Sequence, residues 1–321
     1  MIKFGIVGAG DIAHKFARDI KYVEGAKLVA IASRNVEKAN LFKKKYGLEL
    51  GYGSYEEMAL SGNIDAVYIA TPHNFHKNQS ILFMNNKINV LCEKPISVNS
   101  EELSEMINSA KTNKVLLMEA MWTRYLPSFQ KVKEVLHSNV LGKLKSAYFE
   151  LGWELLNDYP VEKRLLNMDL AGGSILDIGV YPIACFRYIN NSEISKLEAS
   201  AVFHETGVDK ECIINLELVD GSVAQLKSSI NETLTKESVL EFEKGKITFE
   251  NFHSSQNVKI NGERFTLPFK GEGFVHEIES FIETINNGLL ENDVMPYSES
   301  KDIMRIMDQA RKNIGLKYPF E

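Results

Sequence analysis

The sequence predicts an α/β chain in two parts: an N-terminal parallel sheet flanked by helices, then an α+β part with an open, mainly antiparallel sheet. Three observations predict it. Short apolar strands alternate with helices through the first third, the order that builds parallel sheets with right-handed crossovers. Past about residue 122 the pattern changes, and between residues 196 and 269 strand signals are separated by the turns Asp220-Gly221, Lys244-Gly245 and Asn261-Gly262. The chain also opens on an apolar run, residues 4–7, that ends in Gly8-Ala9-Gly10-Asp11-Ile12-Ala13 and leads into a helix-compatible stretch, residues 14–18.

A G-x-G-x-x-A motif between strand and helix is the order a dinucleotide-binding βαβ unit requires. Gly8 makes the tight turn, Gly10 lets the backbone approach a pyrophosphate, and small Ala13 allows close helix–strand packing. The N–H groups of the first turn, at Asp11 and Ile12, then meet the phosphates at the positive end of the helix. The competing reading is a plain βα turn in another α/β fold. We therefore expect a Rossmann dinucleotide-binding domain over residues 1–122 and a substrate domain over 123–321.

The second strand, residues 26–32, ends at Ser33-Arg34. An NAD site places an acid here for the ribose 2′-OH; a hydroxyl and a guanidinium instead suit a 2′-phosphate. NADP(H) is expected over NAD(H), against the plainer reading of Arg34 as a solvated helix-start residue. A charged helix follows (36–46), then a helix capped by Ser54 with Glu57 three residues on, and a buried strand (66–70) ending in Thr71-Pro72-His73. A helix over 74–85 carries His76, a strand over 89–92 ends in Glu93-Lys94-Pro95, a helix starts at Ser100, and a strand spans 115–118. Ligands of parallel sheets bind outside the carboxyl ends of the strands, so these loops should converge on one crevice. The second part reads as a helix (128–138), a long strand (144–152), the strand-rich stretch, and amphipathic helices over 274–287 and 299–314.

Bulk properties narrow the function. A length of 321 residues suits two domains. A net charge of −6 with a pI near 5.8 argues against nucleic-acid and anionic-membrane partners. No apolar run of membrane-spanning length is read and the N-terminus enters a strand at once, so a cytoplasmic protein is expected. Cys92, Cys185 and Cys212 are odd in number and scattered, reduced thiols and not a disulfide framework; no ligand cluster has metal spacing, so no metal is expected.

A nicotinamide enzyme needs a bound cofactor, a positioned substrate and a group that moves the hydroxyl proton. Lys94 sits at a strand end in the expected crevice, with Pro95 breaking the strand, where an ammonium can bind a substrate oxygen; the alternative is an ordinary exposed loop lysine. Gly172-Gly173 opens an apolar helix carrying Asp177 and, four residues on, Tyr181 on the same face. A phenol titrates near 10, and an ammonium and an oxidised nicotinamide beside it would lower that. Otherwise Tyr181 is a core residue and Asp177 a cap. His73 and His76 flank the third crevice loop, to orient cofactor or substrate or merely to cap a helix. Trp122 is placed to pack on the cofactor and Arg124 to neutralise phosphate charge, unless both form an interdomain plug.

Together, G-x-G-x-x-A, Glu93-Lys94-Pro95 and Gly172-Gly173…Asp177-x-Gly179 resemble the Gfo/Idh/MocA family of NAD(P)-dependent oxidoreductases. Tyr52-Gly53-Ser54-Tyr55-Glu56-Glu57, Met118-Glu119-Ala120-Met121-Trp122-Thr123-Arg124, Leu176-Asp177-Ile178-Gly179-Val180-Tyr181 and His204-Glu205-Thr206-Gly207-Val208-Asp209 look closest to its dimeric dihydrodiol dehydrogenase / D-xylose 1-dehydrogenase (NADP+) group. The resemblance implies a C-terminal sheet that forms a homo-oligomer, a dimer or a tetramer built from dimers. It implies Lys94 as the lysine that binds substrate and assists proton transfer, Tyr181 as acid/base, and Asp177 as the substrate-side acid. Arg34 matches a 2′-phosphate contact and His76 a histidine near the cofactor. Residues 153–170, expected to line the substrate side, match weakly beyond Arg164. The implied reaction is hydride transfer between nicotinamide and a carbinol or carbonyl carbon of a sugar, polyol or vicinal diol. A catalytically inert dinucleotide-binding sensor or scaffold, and an NAD(P)-assisted glycosidase, stay open as alternatives.

Overall fold

The computed structural model describes residues 1–321 and divides into two compact units, Met1–Trp122 with Lys270–Lys301 and Thr123–Phe269 with Asp302–Glu321. In the first unit β1 (Ile2–Val7), β2 (Ala26–Ala32), β3 (Leu50–Tyr52), β4 (Ala66–Ile69), β5 (Asn89–Glu93) and β6 (Leu117–Ala120) form one parallel sheet, ordered β3-β2-β1-β4-β5-β6. The order reverses between β1 and β4, which sets the ligand crevice at their carboxyl ends. These strands are covered on both faces, so they read as continuous apolar runs: Phe4, Ile6, Val7, Val67, Tyr68 and Ile69 are all fully buried.

The flanking helices are α1 (Asp11–Asp19), α2 (Val36–Tyr46), α3 (Tyr55–Leu60), α4 (His76–Asn85) and α5 (Ser100–Asn113). Asn35, Ser54 and Asn99 each accept an orphan N–H, from Lys38, Glu57 and Glu102, so the cap expected at Ser54 is present. The strand expected at 115–118 starts two residues later, because the Leu116 N–H is held by the Asn89 side chain before regular pairing begins.

The second unit holds α6 (Pro127–His137), β7 (Leu144–Gly152), α7 (Val180–Ile189), β8 (Ile194–Phe203), β9 (Asp209–Leu218), β10 (Val223–Ser229), β11 (Ser238–Phe242), β12 (Gly245–Phe249), β13 (Asn257–Ile260) and β14 (Glu263–Thr266). Their sheet runs β14-β13-β12-β11-β7-β10-β9-β8 and is antiparallel except where β10 lies parallel to β7. That parallel pair needs a long crossover, and the chain segment carrying α7 supplies it. Contrary to the sequence reading, Met168–Ile189 is apolar and long enough to cross a membrane, but 89% of its apolar window is buried inside the protein. Its hydrophobicity is that of a core element.

The stretch Lys270–Lys301, which carries α8 (Val275–Asn286) and the start of α9 (Tyr297–Ile314), groups with the first unit instead of the expected 123–321 domain. Specific contacts explain this. Asp19 accepts the N–H groups of Glu272 and Phe274 at 2.9 Å, Phe281 packs on Phe4, and Ser300 Oγ donates to Glu119 at 2.6 Å. Amphipathic periodicity shows which face of a helix is apolar but not which core it joins.

Candidate active site

The dinucleotide cradle is built at the β1–α1 turn. Gly8 has φ +96°, and a Cβ there would strike the Ala70 carbonyl, so only glycine fits. No atom lies within 4 Å of a Cβ placed on Gly10, leaving open the space a pyrophosphate needs. Asp11 and Ile12 begin α1 and stay accessible, while Ala13 is fully buried against the sheet. At the end of β2, Arg34 lies over the Phe75 ring at 5.1 Å and is hydrogen-bonded to Tyr55. The nearly buried Ser33 accepts the Asn35 N–H through its Oγ. Lys38 shares a cavity of about 340 Å³ with Ala9, His14, Leu41, Phe42 and Lys45. The sequence did not single out Lys38, which lies four residues after Arg34.

The next two strand ends are joined through His76. Its Nε2 lies 2.8 Å from the Thr71 carbonyl and its Nδ1 lies 2.9 Å from the Pro95 carbonyl, so one buried ring bridges both loops. Thr71 Oγ1 donates to Gln79, Pro72 precedes the turn His73–Phe75, and His73 is buried edge-on to His76 at 5.9 Å. In the Glu93-Lys94-Pro95 loop, Glu93 accepts the Tyr68 hydroxyl and the Lys94 N–H, and the Lys94–Pro95 peptide is cis. Glu119 accepts the Ile96 N–H at 3.1 Å on the far side. Lys94 thus projects from a loop pinned before and after it. Behind it, burial pushes the Glu277 carboxyl well above its ordinary range, with the Glu93 and Asp19 charges adding to the effect.

Trp122 and Arg124 each have identifiable partners. Trp122 stacks on Phe274 at 5.4 Å, a partner the sequence did not suggest. Arg124, expected at the cofactor phosphates, is fully buried in the second unit, where Nε and Nη2 donate to the Ala184 carbonyl and the guanidinium covers Tyr188. It anchors α7: buried donors must be satisfied, and a helix carbonyl and an aromatic face do so.

In the second unit Arg164 grips Asp177 with two nitrogens, at 2.7 and 3.3 Å. Asp177 lies in a π-helical turn, Ile175–Gly179, that runs straight into α7, where Tyr181 is second. The expected single helix is therefore a wide turn followed by an α-helix, a geometry frequent at functional sites. Tyr181 is 7% exposed and meets the His253 ring edge-on at 4.5 Å; His253 meets Trp153 at 5.3 Å, and Lys236 covers Trp153. Trp153 begins the stretch expected to line the substrate side. His253 gave no signal, because an isolated histidine in a short turn acquires a neighbour only through long-range folding. This half offers a carboxylate held by arginine, a phenol and an aromatic wall, the groups that bind a polyhydroxy compound and move its proton.

Comparison with known proteins agrees with this architecture. The model of an oxidoreductase family with an NAD-binding Rossmann fold matches residues 2–121, and a GFO/IDH/MocA C-terminal domain matches 129–264. Trans-1,2-dihydrobenzene-1,2-diol dehydrogenase of Mus musculus is 32% identical over 331 residues, spanning 99% of this chain and 98% of that one. The scyllo-inositol 2-dehydrogenase (NADP(+)) IolU of Bacillus subtilis (strain 168) is 33% identical over 328 residues, 99% of each. A mutant of KijD10, a 3-ketoreductase from Actinomadura kijaniata solved with TDP-benzene and NADP, superposes with a TM-score of 0.87 at 22% identity over 98% of both chains. The chain belongs to the Gfo/Idh/MocA family of oxidoreductases, with an NAD(P)-binding Rossmann domain.

Proposed function

We propose that this protein is an NADP(H)-dependent oxidoreductase acting on a CH–OH or carbonyl carbon of a polyol, sugar or vicinal diol, with Tyr181 as acid/base assisted by Lys94. The observation that carries the chemistry is Tyr181 four residues after the Arg164-held Asp177, at one helix start. Names of two full-length relatives, one a diol and one an inositol dehydrogenase, support the substrate class. The cradle fits a dinucleotide: the open space at Gly10 and the first turn of α1 suit its pyrophosphate, with Ser33, Arg34 and Lys38 for a 2′-phosphate. When bound, the nicotinamide supplies the carbon that gives or takes hydride. Tyr181 takes the hydroxyl proton during oxidation and returns it during reduction. The Lys94 ammonium stabilises the negative charge developing on the same oxygen, and Asp177 accepts a hydrogen bond from an adjacent hydroxyl.

NADPH is expected to bind at least about tenfold tighter than NADH in a fluorescence titration, a margin worth about 1.4 kcal/mol. Arg34→Ala should abolish that margin; equal affinities in the unaltered protein would remove Arg34 from cofactor selection. Asp177→Asn, which weakens the acceptor while keeping its shape, is expected to raise KM for scyllo-inositol about tenfold and to lower kcat less, the pattern of lost ground-state binding. Unchanged KM would leave Asp177 a purely structural partner of Arg164. The assay itself is net NADPH formation from NADP+ with scyllo-inositol or trans-1,2-dihydrobenzene-1,2-diol. Glycoside cleavage without net NADPH would favour a glycosidase, and NADPH binding without either reaction an inert scaffold.

The same reading makes the protein a cytoplasmic homo-oligomer, a dimer or a tetramer built from dimers. Three buried free cysteines support a reducing compartment, and exposed Val202, Phe203 and Val223 on the open eight-stranded sheet support an interface between copies.

A further inference from the structure

We propose that Asp209 is a positioning residue: its buried carboxyl holds the turn that aims Asp177 and Tyr181. The inference rests on the assignment of Tyr181 above. Asp209 opens β9 and is wholly buried. Its Oδ2 accepts the Ile175 N–H at 2.8 Å, the first residue of the π-helical turn, and the N–H groups of Ser174 and of Asp209 itself also point at the carboxyl. The first N–H groups of a helix have no partner within it, so a buried helix start needs an acceptor of this kind.

The approach is specific. Gly173, at φ +115°, lies directly against Oδ1, and a Cβ at that position would collide with it. The rest of the turn is held independently, because Ser174 Oγ and Ser228 Oγ bond at 2.8 Å and the Tyr318 hydroxyl donates to the Gly172 carbonyl at 2.7 Å. The carboxyl therefore sits beneath a turn whose next residues are Asp177 and Tyr181. It touches neither of them and acts through backbone placement.

Its charge is unusual as well. Burial pushes the carboxyl up to about 8, opposed by the three N–H groups and by the Arg311 guanidinium of α9. The Cys212 thiol of β9 and the Tyr318 hydroxyl of the C-terminal segment also face it, and burial holds both protonated. All the backbone groups aimed at the carboxyl are donors, and Oδ1 has no hydrogen-bond partner that would accept a carboxyl proton. The ionised form therefore grips the turn more firmly than the neutral one. The turn should tighten as pH rises through about 8.

The test is amide hydrogen exchange of residues 173–181 in the NADPH-bound protein from pH 6.5 to 9.5, corrected for intrinsic rates, with kcat for scyllo-inositol oxidation followed over the same range. Protection of the segment should rise about threefold or more through pH 8. Asp209→Asn should remove that rise and lower kcat about tenfold, with NADPH affinity unchanged within about twofold because the dinucleotide cradle lies in the first unit. Protection that is flat in the unaltered protein, or that still rises in Asp209→Asn, overturns the proposal, as does a variant with normal kcat. Asp209→Glu, which restores the charge at a longer reach, should recover part of the pH-dependent protection if the variant folds. Failure of both scyllo-inositol and trans-1,2-dihydrobenzene-1,2-diol as substrates, with the exchange signature intact, would instead count against the Tyr181 reading.

Discussion

Tyr181→Phe is expected to lower kcat at least about a hundredfold, close to 2.7 kcal/mol of transition-state stabilisation, the size that loss of general acid–base catalysis implies. The change is clean because phenylalanine keeps the edge-on contact with His253 and the packing of a residue that is only 7% exposed. NADPH affinity should stay within about twofold, since the cradle residues Gly8, Gly10 and Arg34 belong to the other unit. Steady-state kinetics with NADP+ and scyllo-inositol, paired with an NADPH titration, separates the two effects. Turnover within about threefold of normal would show that the phenol carries no proton in the rate-limiting step.

Lys94→Ala should cost about as much, roughly a hundredfold in kcat/KM, because it removes the cation that meets the developing alkoxide. The loop would persist without the ammonium. Glu93 is fixed by Tyr68, the Pro95 carbonyl by His76, and the Ile96 N–H by Glu119, none of which needs the lysine side chain. The melting temperature should therefore move by no more than about 2 °C, as for a half-exposed residue outside the core. Lys94→Arg should not rescue activity, since a planar fork replaces a compact point charge. Kinetics unchanged by Lys94→Ala would remove the lysine from the mechanism, and a large fall in melting temperature would reassign it to folding.

Much of the cofactor side was legible before folding was considered. Gly8 and Gly10 work through local backbone geometry, so their spacing is readable; Gly8 has φ +96° and the space beside Gly10 is open. Charge alone was a poorer guide. Arg124 follows a strand end like a phosphate ligand, yet it is fully buried, donates to the Ala184 carbonyl and covers the Tyr188 ring. Position along the chain says where a side chain starts, and burial decides which partners it must satisfy.

The residues that finish each half-site come from far along the chain. His253 reaches Tyr181 from 72 residues away, and Asp209 reaches the start of the same helix from 34 residues beyond Ile175. Neither stands in a local pattern, and Asp209 figured in the sequence only within a stretch resembling the family. His76 is similar: its place at a helix start was readable, but its bridge between the Thr71 and Pro95 carbonyls was not.

Spacings within about thirty residues, or several short motifs taken together, were enough to reveal the strand-and-helix alternation, the dinucleotide turn and the family. Folding in three dimensions was needed to show that Lys270–Lys301 packs with the first unit, that Arg124 is buried against Ala184 and Tyr188, and that Asp209 and His253 flank the Tyr181 helix. Burial and hydrogen-bond satisfaction depend on what surrounds a group in space. Periodicity and composition report only what precedes and follows it.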